Sequence, residues 1–207
     1  MTLRCLVEKQ CLERRRLLSG PEELWLNWPS DGDQVFIAWE FFAGSKIWSS
    51  AMAEVNSMVF EDAGATHEDL GPLKWAMLTP IDILFGSDHN LLDPAVLSFV
   101  LSVLATGKVL FEHSGNPCSS LSQAITPPIR SNEYPRGLPN LTPTNQAKVD
   151  IGNALVGVAN VVESRQLHFR GGVGRKNLFG SHEWQLPEYV DHKYKWLFTS
   201  YISDYCA

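Results

Sequence analysis

The stretch Val109–Ala124, V-L-F-E-H-S-G-N-P-C-S-S-L-S-Q-A, constrains the fold more than any other part of the chain. It opens with the apolar run Val109-Leu110-Phe111, of the kind that fills a buried strand. It then breaks at Ser114-Gly115-Asn116-Pro117, residues that punctuate regular structure. Cys118 follows at once, with Ser119, Ser120 and Ser122 behind it. A cysteine just past the carboxyl end of a strand lies where open α/β sheets carry their ligands and chemistry. Pro117 restrains the backbone ahead of the thiol. Ser119 or Ser120 is placed to cap a following helical turn, whose N-terminus would favour the thiolate. The same residues also describe a small, inert cysteine packed in a serine-rich loop.

The rest of the chain supplies the alternation that such a sheet needs. Gln34–Phe42 is an almost unbroken apolar run, suited to a central parallel strand, and Ala43-Gly44-Ser45 turns it into a helix over 46–55. Residues 56–74 are acidic and irregular, and residues 75–85 contain a second strand. Asp93 and Pro94 read as the N-cap and first residue of a helix that reaches Ala105 and closes at Gly107. Prolines 127, 128, 135, 139 and 143 mark an ordered loop, and Thr142-Pro143 starts a helix to Gln166. Leu167-His168-Phe169 reads as a strand ending in the loop Gly171–Gly174. Residues 184–187 read as loop, and residues 196–202 as a last strand. Alternating strands and helices predict an α/β fold, a doubly wound sheet in a single domain over 34–207. Residues 1–33 form an N-terminal extension: an amphipathic helix over 3–18, then a loop carrying Trp25 and Trp28.

Charge and cysteine usage narrow the function classes. The net charge of −6 points to neither nucleic acid nor an anionic membrane as a partner of the whole chain. Residues 1–107 hold 7 basic and 15 acidic side chains, a balance of −8, and residues 108–207 hold 10 and 8, a balance of +2. A polyanion would therefore meet the second half. Cys5, Cys11, Cys118 and Cys206 form no C-x-x-C pair, so no zinc or other metal site is expected, and a reducing intracellular compartment is the default. Glu8, Lys9, Glu13 and Arg14–Arg16 interrupt the early apolar run, which argues against a secretory signal. No run is long enough for a membrane span.

Taken in order, several segments resemble the cytosine-C5 methyltransferases, over about residues 35–206. Phe41-Phe42-Ala43-Gly44-Ser45 resembles their first motif, Asn90-Leu91-Leu92-Asp93-Pro94 their adenine-contacting region, and Gly115-Asn116-Pro117-Cys118-Ser119 their Pro-Cys motif. Pro127–Ser131 and Lys148–Asn153 resemble the proline-rich loop and the helix after it. The resemblance implies a class I methyltransferase (Rossmann-like) fold with S-adenosylmethionine as cofactor. Phe42, Ala43, Gly44 and Ser45 would wrap its methionine part, Asp82 its ribose and Asn90 its adenine, and Cys118 would be the nucleophile. Arg130, Arg136, Arg175 and Lys176 are the candidate nucleic-acid contacts, with Lys148, Arg165 and Arg170 as further cations.

The chain also departs from that pattern. Lys46 stands where a second glycine is usual, or that glycine is displaced, and Asn90 stands where an aspartate is usual. The Glu-Asn motif expected after residues 167–171 is replaced by Gly171-Gly172-Val173-Gly174-Arg175-Lys176-Asn177, with Glu163 as the nearby carboxylate. The family's target-recognition domain has no counterpart. Methylating C5 of cytosine requires a thiolate to add at C6 and a carboxyl group to hold the ring nitrogen, on a base flipped out of its stack. Three readings remain. The first is a degenerate methyltransferase-like domain, its cofactor lost, serving as an interaction or structural subunit among other protein subunits. The second is an active S-adenosylmethionine-dependent enzyme on DNA or RNA. The third is an unrelated α/β enzyme pairing Cys118 with His113, His168 or His182.

Overall fold

The computed structural model describes residues 35–43, 50, 74–178 and 180–196. Gly44, Ser45 and Lys46 lie outside the described residues, as do the helix expected over 3–18, Trp25, Trp28, the body of the helix expected over 46–55, and residues 197–202. The chain divides into two compact units: residues 1–115 with 162–174, and residues 116–161 with 175–207.

The first unit is built on a sheet. Strand β1 (Val35–Phe41) pairs in parallel with β2 (Lys74–Met77) on one side and with β3 (Val109–Ser114) on the other. The strand order is β2-β1-β3-β4, where β4 is Gly172–Arg175. The chain adds β2 to one edge of β1 and then crosses to add β3 at the other. The register of β1 against β3 slips once, between Ile37 and Ala38. The architecture is mixed α/β, on a small four-strand sheet in which β2, β1 and β3 run parallel. Trp39 and Phe41 on β1, and Glu112 and Ser114 opposite them on β3, are all buried on one face. Ser114 Oγ donates to Glu112 Oε2 at 3.0 Å.

Between β2 and β3 lies helix α1 (Pro94–Leu104), capped as its sequence demands: Asp93 Oδ1 accepts from the Ala95 N–H at 2.7 Å, with Pro94 in the first turn. Val96, Val100, Val103 and Leu104 form its buried stripe, at the spacing of one helix face. Gly107 follows at φ +68°. The second strand is shorter than its sequence suggests. It stops at Met77, and only Ile81 returns to the sheet, in a single parallel bridge to Phe41. Pro80 breaks the ladder, and Asp82 turns the chain into a 3₁₀ helix, Ile83–Phe85, by accepting from Leu84 N–H.

Helix α2 (Pro143–His168) overturns the strand expected at 167–169. Leu167 and His168 are its last helical residues. The helix ends in a Schellman motif, with Arg170 left-handed at φ +64°, its N–H bonded to Leu167 C=O and the Gly171 N–H bonded to Gln166 C=O. Gln166 Nε2 donates to Val109 C=O at 2.6 Å, tying this end of the helix to the start of β3. The strand is displaced to Gly172–Arg175, so Gly172 and Gly174 belong to a strand and not to a floppy loop. Glycine is needed there for close approach: a Cβ on Gly172 would sit 2.9 Å from Phe111 Cδ2.

The second unit has its own core of Leu121, Val156, Leu186 and Tyr189, with Trp184 against it. Trp184 and Gln185, expected in loop, lie in a 3₁₀ helix, His182–Gln185, capped by Ser181 Oγ, which accepts from Glu183 N–H at 3.2 Å. Trp196, expected to open a strand, instead ends helix α3 (Pro187–Trp196), which starts at a proline and carries Lys193 and Lys195 in its last turn.

Candidate functional site

In the first unit Phe42, Ala43 and Asp82 lie beside the end of β1, and Asn90 stands further along, closing a second 3₁₀ helix, Ser87–His89. Gly115 N–H donates to Phe41 C=O at 3.0 Å, and a Cβ on Gly115 would lie 3.3 Å from Phe42 C=O, so the two strand ends approach closely. Phe42 is buried and held at φ +55°, a left-handed conformation that costs a bulky residue about 1–3 kcal/mol. Ala43 is buried and its N–H donates to Ile81 C=O at 3.3 Å. Asp82 is buried and its side chain is engaged as the 3₁₀ cap. Asn90 is half-buried, and its Oδ1 accepts from Leu92 N–H at 3.1 Å, an Asx turn that leads the chain towards Asp93 and α1. Glu163, on α2, is fully buried in this unit.

In the second unit Cys118 is a free, exposed thiol. Its carbonyl accepts from Leu121 N–H at 3.1 Å and Ser122 N–H at 2.8 Å, which closes a single turn. No helix begins there, correcting the capped helical turn expected after the cysteine; the chain continues through turns and bends to Thr142. The thiol therefore gains no helix dipole. Ser119 is exposed. Ser120 is buried and bonded to Arg130: Arg130 Nε donates to its carbonyl at 2.7 Å and an Nη2 to its Oγ at 3.3 Å.

Arg130 is the largest departure of the local chemistry from the expected nucleic-acid contacts. It is buried, and its five hydrogen bonds go to Ser120 (C=O and Oγ), Pro135 C=O, Asn153 Oδ1 and Val149 C=O. All of these acceptors are neutral. Burial lowers its pKa to about 10, against the pull of the Glu188 and Asp150 charges. Arg175 is likewise turned inward. Its Nη1 lies 3.2 Å from Glu183 Oε1, its Nη2 donates to Asn160 Oδ1 at 2.7 Å, and its guanidinium lies over the Tyr189 ring. Arg136 is exposed and paired with Glu188 at 2.7 Å, and Lys176 is exposed.

The residue that sequence reasoning missed is Glu183. It is fully buried and is the centre of a polar network. Oε1 accepts from Asn116 Nδ2 and Arg175 Nη1, and Oε2 accepts from Asn177 Nδ2. In these three bonds the side chain only accepts, the role of an ionised carboxylate. The signal in the sequence is a lone acid between Ser181 and the anchors Trp184 and Leu186, just ahead of the segment 184–187 read as loop. Beside it, His182 is buried, and its N–H donates to Leu121 C=O at 2.8 Å. Burial, reinforced by the Arg130 charge, lowers the His182 pKa below its usual value, while Gln185 opposes the shift.

Among the described residues, no three His, Cys, Asp or Glu side chains cluster as metal ligands, and no helix is long and apolar enough to cross a membrane. Comparison with protein-family models, curated proteins and solved structures finds no match to this chain.

Proposed function

We propose that the chain is a divergent cytosine-C5-methyltransferase-like domain, on a doubly wound Rossmann-like sheet, that has lost methyl transfer and serves as an interaction or structural subunit of a larger assembly. The reading draws on the order β2-β1-β3, whose reversal at β1 is the switch point at which doubly wound sheets place a ligand crevice. The observation that carries the loss of catalysis is the state of Glu183. It is the fully buried carboxylate among the described residues of the unit that bears Cys118, and its oxygens are committed to Asn116, Arg175 and Asn177. In the same unit Glu133, Asp150 and Asp191 are exposed, and Glu188 is paired with Arg136. A carboxyl group that must hold and neutralise a reacting ring nitrogen has to be available to it. The exposed thiol of Cys118 favours the second reading, an active S-adenosylmethionine-dependent enzyme.

Purification from the native source under non-denaturing conditions tests the subunit role. Co-purification in fixed stoichiometry with other subunits is expected, with no heat of S-adenosylmethionine binding by calorimetry. A chain that isolates alone and binds the cofactor contradicts the proposal.

A further inference from the structure

The turn that carries Cys118 is held on both sides by one short segment, Ser181–Glu183. On the N-terminal side, Asn116 Nδ2 donates to Glu183 Oε1. On the C-terminal side, Leu121 C=O accepts from His182 N–H at 2.8 Å and from Ser181 Oγ at 3.4 Å. The C-terminal tie is mostly backbone and survives most substitutions. The N-terminal tie is entirely side chain to side chain.

Three features make that tie directional. Glu183 cannot swing freely, because Arg175 and Asn177 hold its two oxygens. Asn116 is 4% exposed, and because its NH₂ faces a carboxylate that only accepts, its Oδ1 points away and has no hydrogen-bond partner among the described residues. Burial in a close-packed surround restricts the rotamers open to Asn116. The linkage onward is stiff: Pro117 fixes its own φ and restricts the residue before it.

We propose that Glu183 is the positioning residue for Cys118, acting through Asn116 to fix where the exposed thiol is presented. This holds whether or not the chain transfers a methyl group. It gives the Arg175–Glu183 pair a role in the geometry of the loop besides any role in stability.

The test uses the full chain with Cys5, Cys11 and Cys206 replaced by Ser, and a nitroxide spin label on Cys118 read by electron paramagnetic resonance. Asn116→Ala and Glu183→Ala should each shorten the label's correlation time by about twofold or more, as for a loop released from its scaffold. The double variant should shorten it no further. Glu183→Gln keeps an oxygen that accepts from Asn116 and should retain the parent spectrum, as should Asn177→Ala, which leaves the Asn116 bond in place. A merely structural role would lower denaturant stability without moving the label. Parent-like spectra in Asn116→Ala and in folded Glu183→Ala overturn the proposal. Should Glu183→Ala fail to fold, Asn116→Ala decides alone, since it leaves the Arg175–Glu183 pair intact.

Discussion

Asn116 and Glu183, 67 positions apart in sequence, meet in a buried side-chain hydrogen bond. That bond joins the chain leaving β3 to the 3₁₀ helix at 182–185, and the acid in it is ion-paired with Arg175. A buried pair of this kind is costly to break from one side, because the partner is left charged and alone.

Glu183→Ala should therefore lower unfolding free energy by about 3–5 kcal/mol, and Arg175→Met by a similar amount. The double substitution Glu183→Ala/Arg175→Met should cost much less than the sum of the singles, since it removes both charges. Denaturant titration of the four proteins measures this. Strict additivity would show that the two side chains do not interact energetically.

Gly152 on α2 faces Ser120 and Arg130 at a distance that admits no side chain. A Cβ there would lie 2.0 Å from Ser120 Oγ and 3.0 Å from an Arg130 nitrogen. Gly152→Ala should destabilise by about 1–3 kcal/mol, the cost of overpacking, despite alanine's better helix propensity. Ser120→Ala in the same chain should recover part of the loss. Thermal unfolding of the single and double variants is the check, and a stabilised Gly152→Ala would contradict the packing described.

How far the sequence reached is clear from particular residues. Asp93-Pro94 announced α1 because an N-cap and a first-turn proline act locally, and β1 and β3 were legible as apolar runs. The end of α2 was not legible. Its stop signal is Arg170 in a left-handed conformation, where a glycine would flag the boundary, so Leu167-His168-Phe169 reads as a strand. Glu183 was not legible because its environment is assembled from Asn116, Arg175 and Asn177, which local pattern does not bring together. Arg130 reads as a cation for phosphate because nothing in the sequence tells a surface arginine from one buried against neutral backbone and side-chain acceptors.

His182 makes stability depend on pH in a stated direction. Its folded pKa lies below its unfolded value, so its neutral form is the one the fold favours. The unfolded chain then takes up the proton first as pH falls through about 6.5, and stability drops from there down to the folded pKa, below which it levels. The histidine's contribution is fully present above the unfolded pKa. His182→Gln should flatten that part of the stability–pH curve, as followed by denaturant unfolding between pH 5 and pH 8. An undiminished slope in the variant would assign the dependence to other groups.

The central proposal is that this chain has lost methyl transfer, although Cys118 stands exposed in a loop whose sequence resembles the Pro-Cys motif, because the buried carboxylate Glu183 is committed to Asn116, Arg175 and Asn177. A radiolabelled methyl-transfer assay from S-adenosylmethionine to cytosine-containing DNA and RNA, with Cys118→Ala as control, tests it most directly. The predicted result is no transfer above the control on either substrate. Transfer by the parent that disappears in Cys118→Ala would contradict the account and establish the chain as an enzyme.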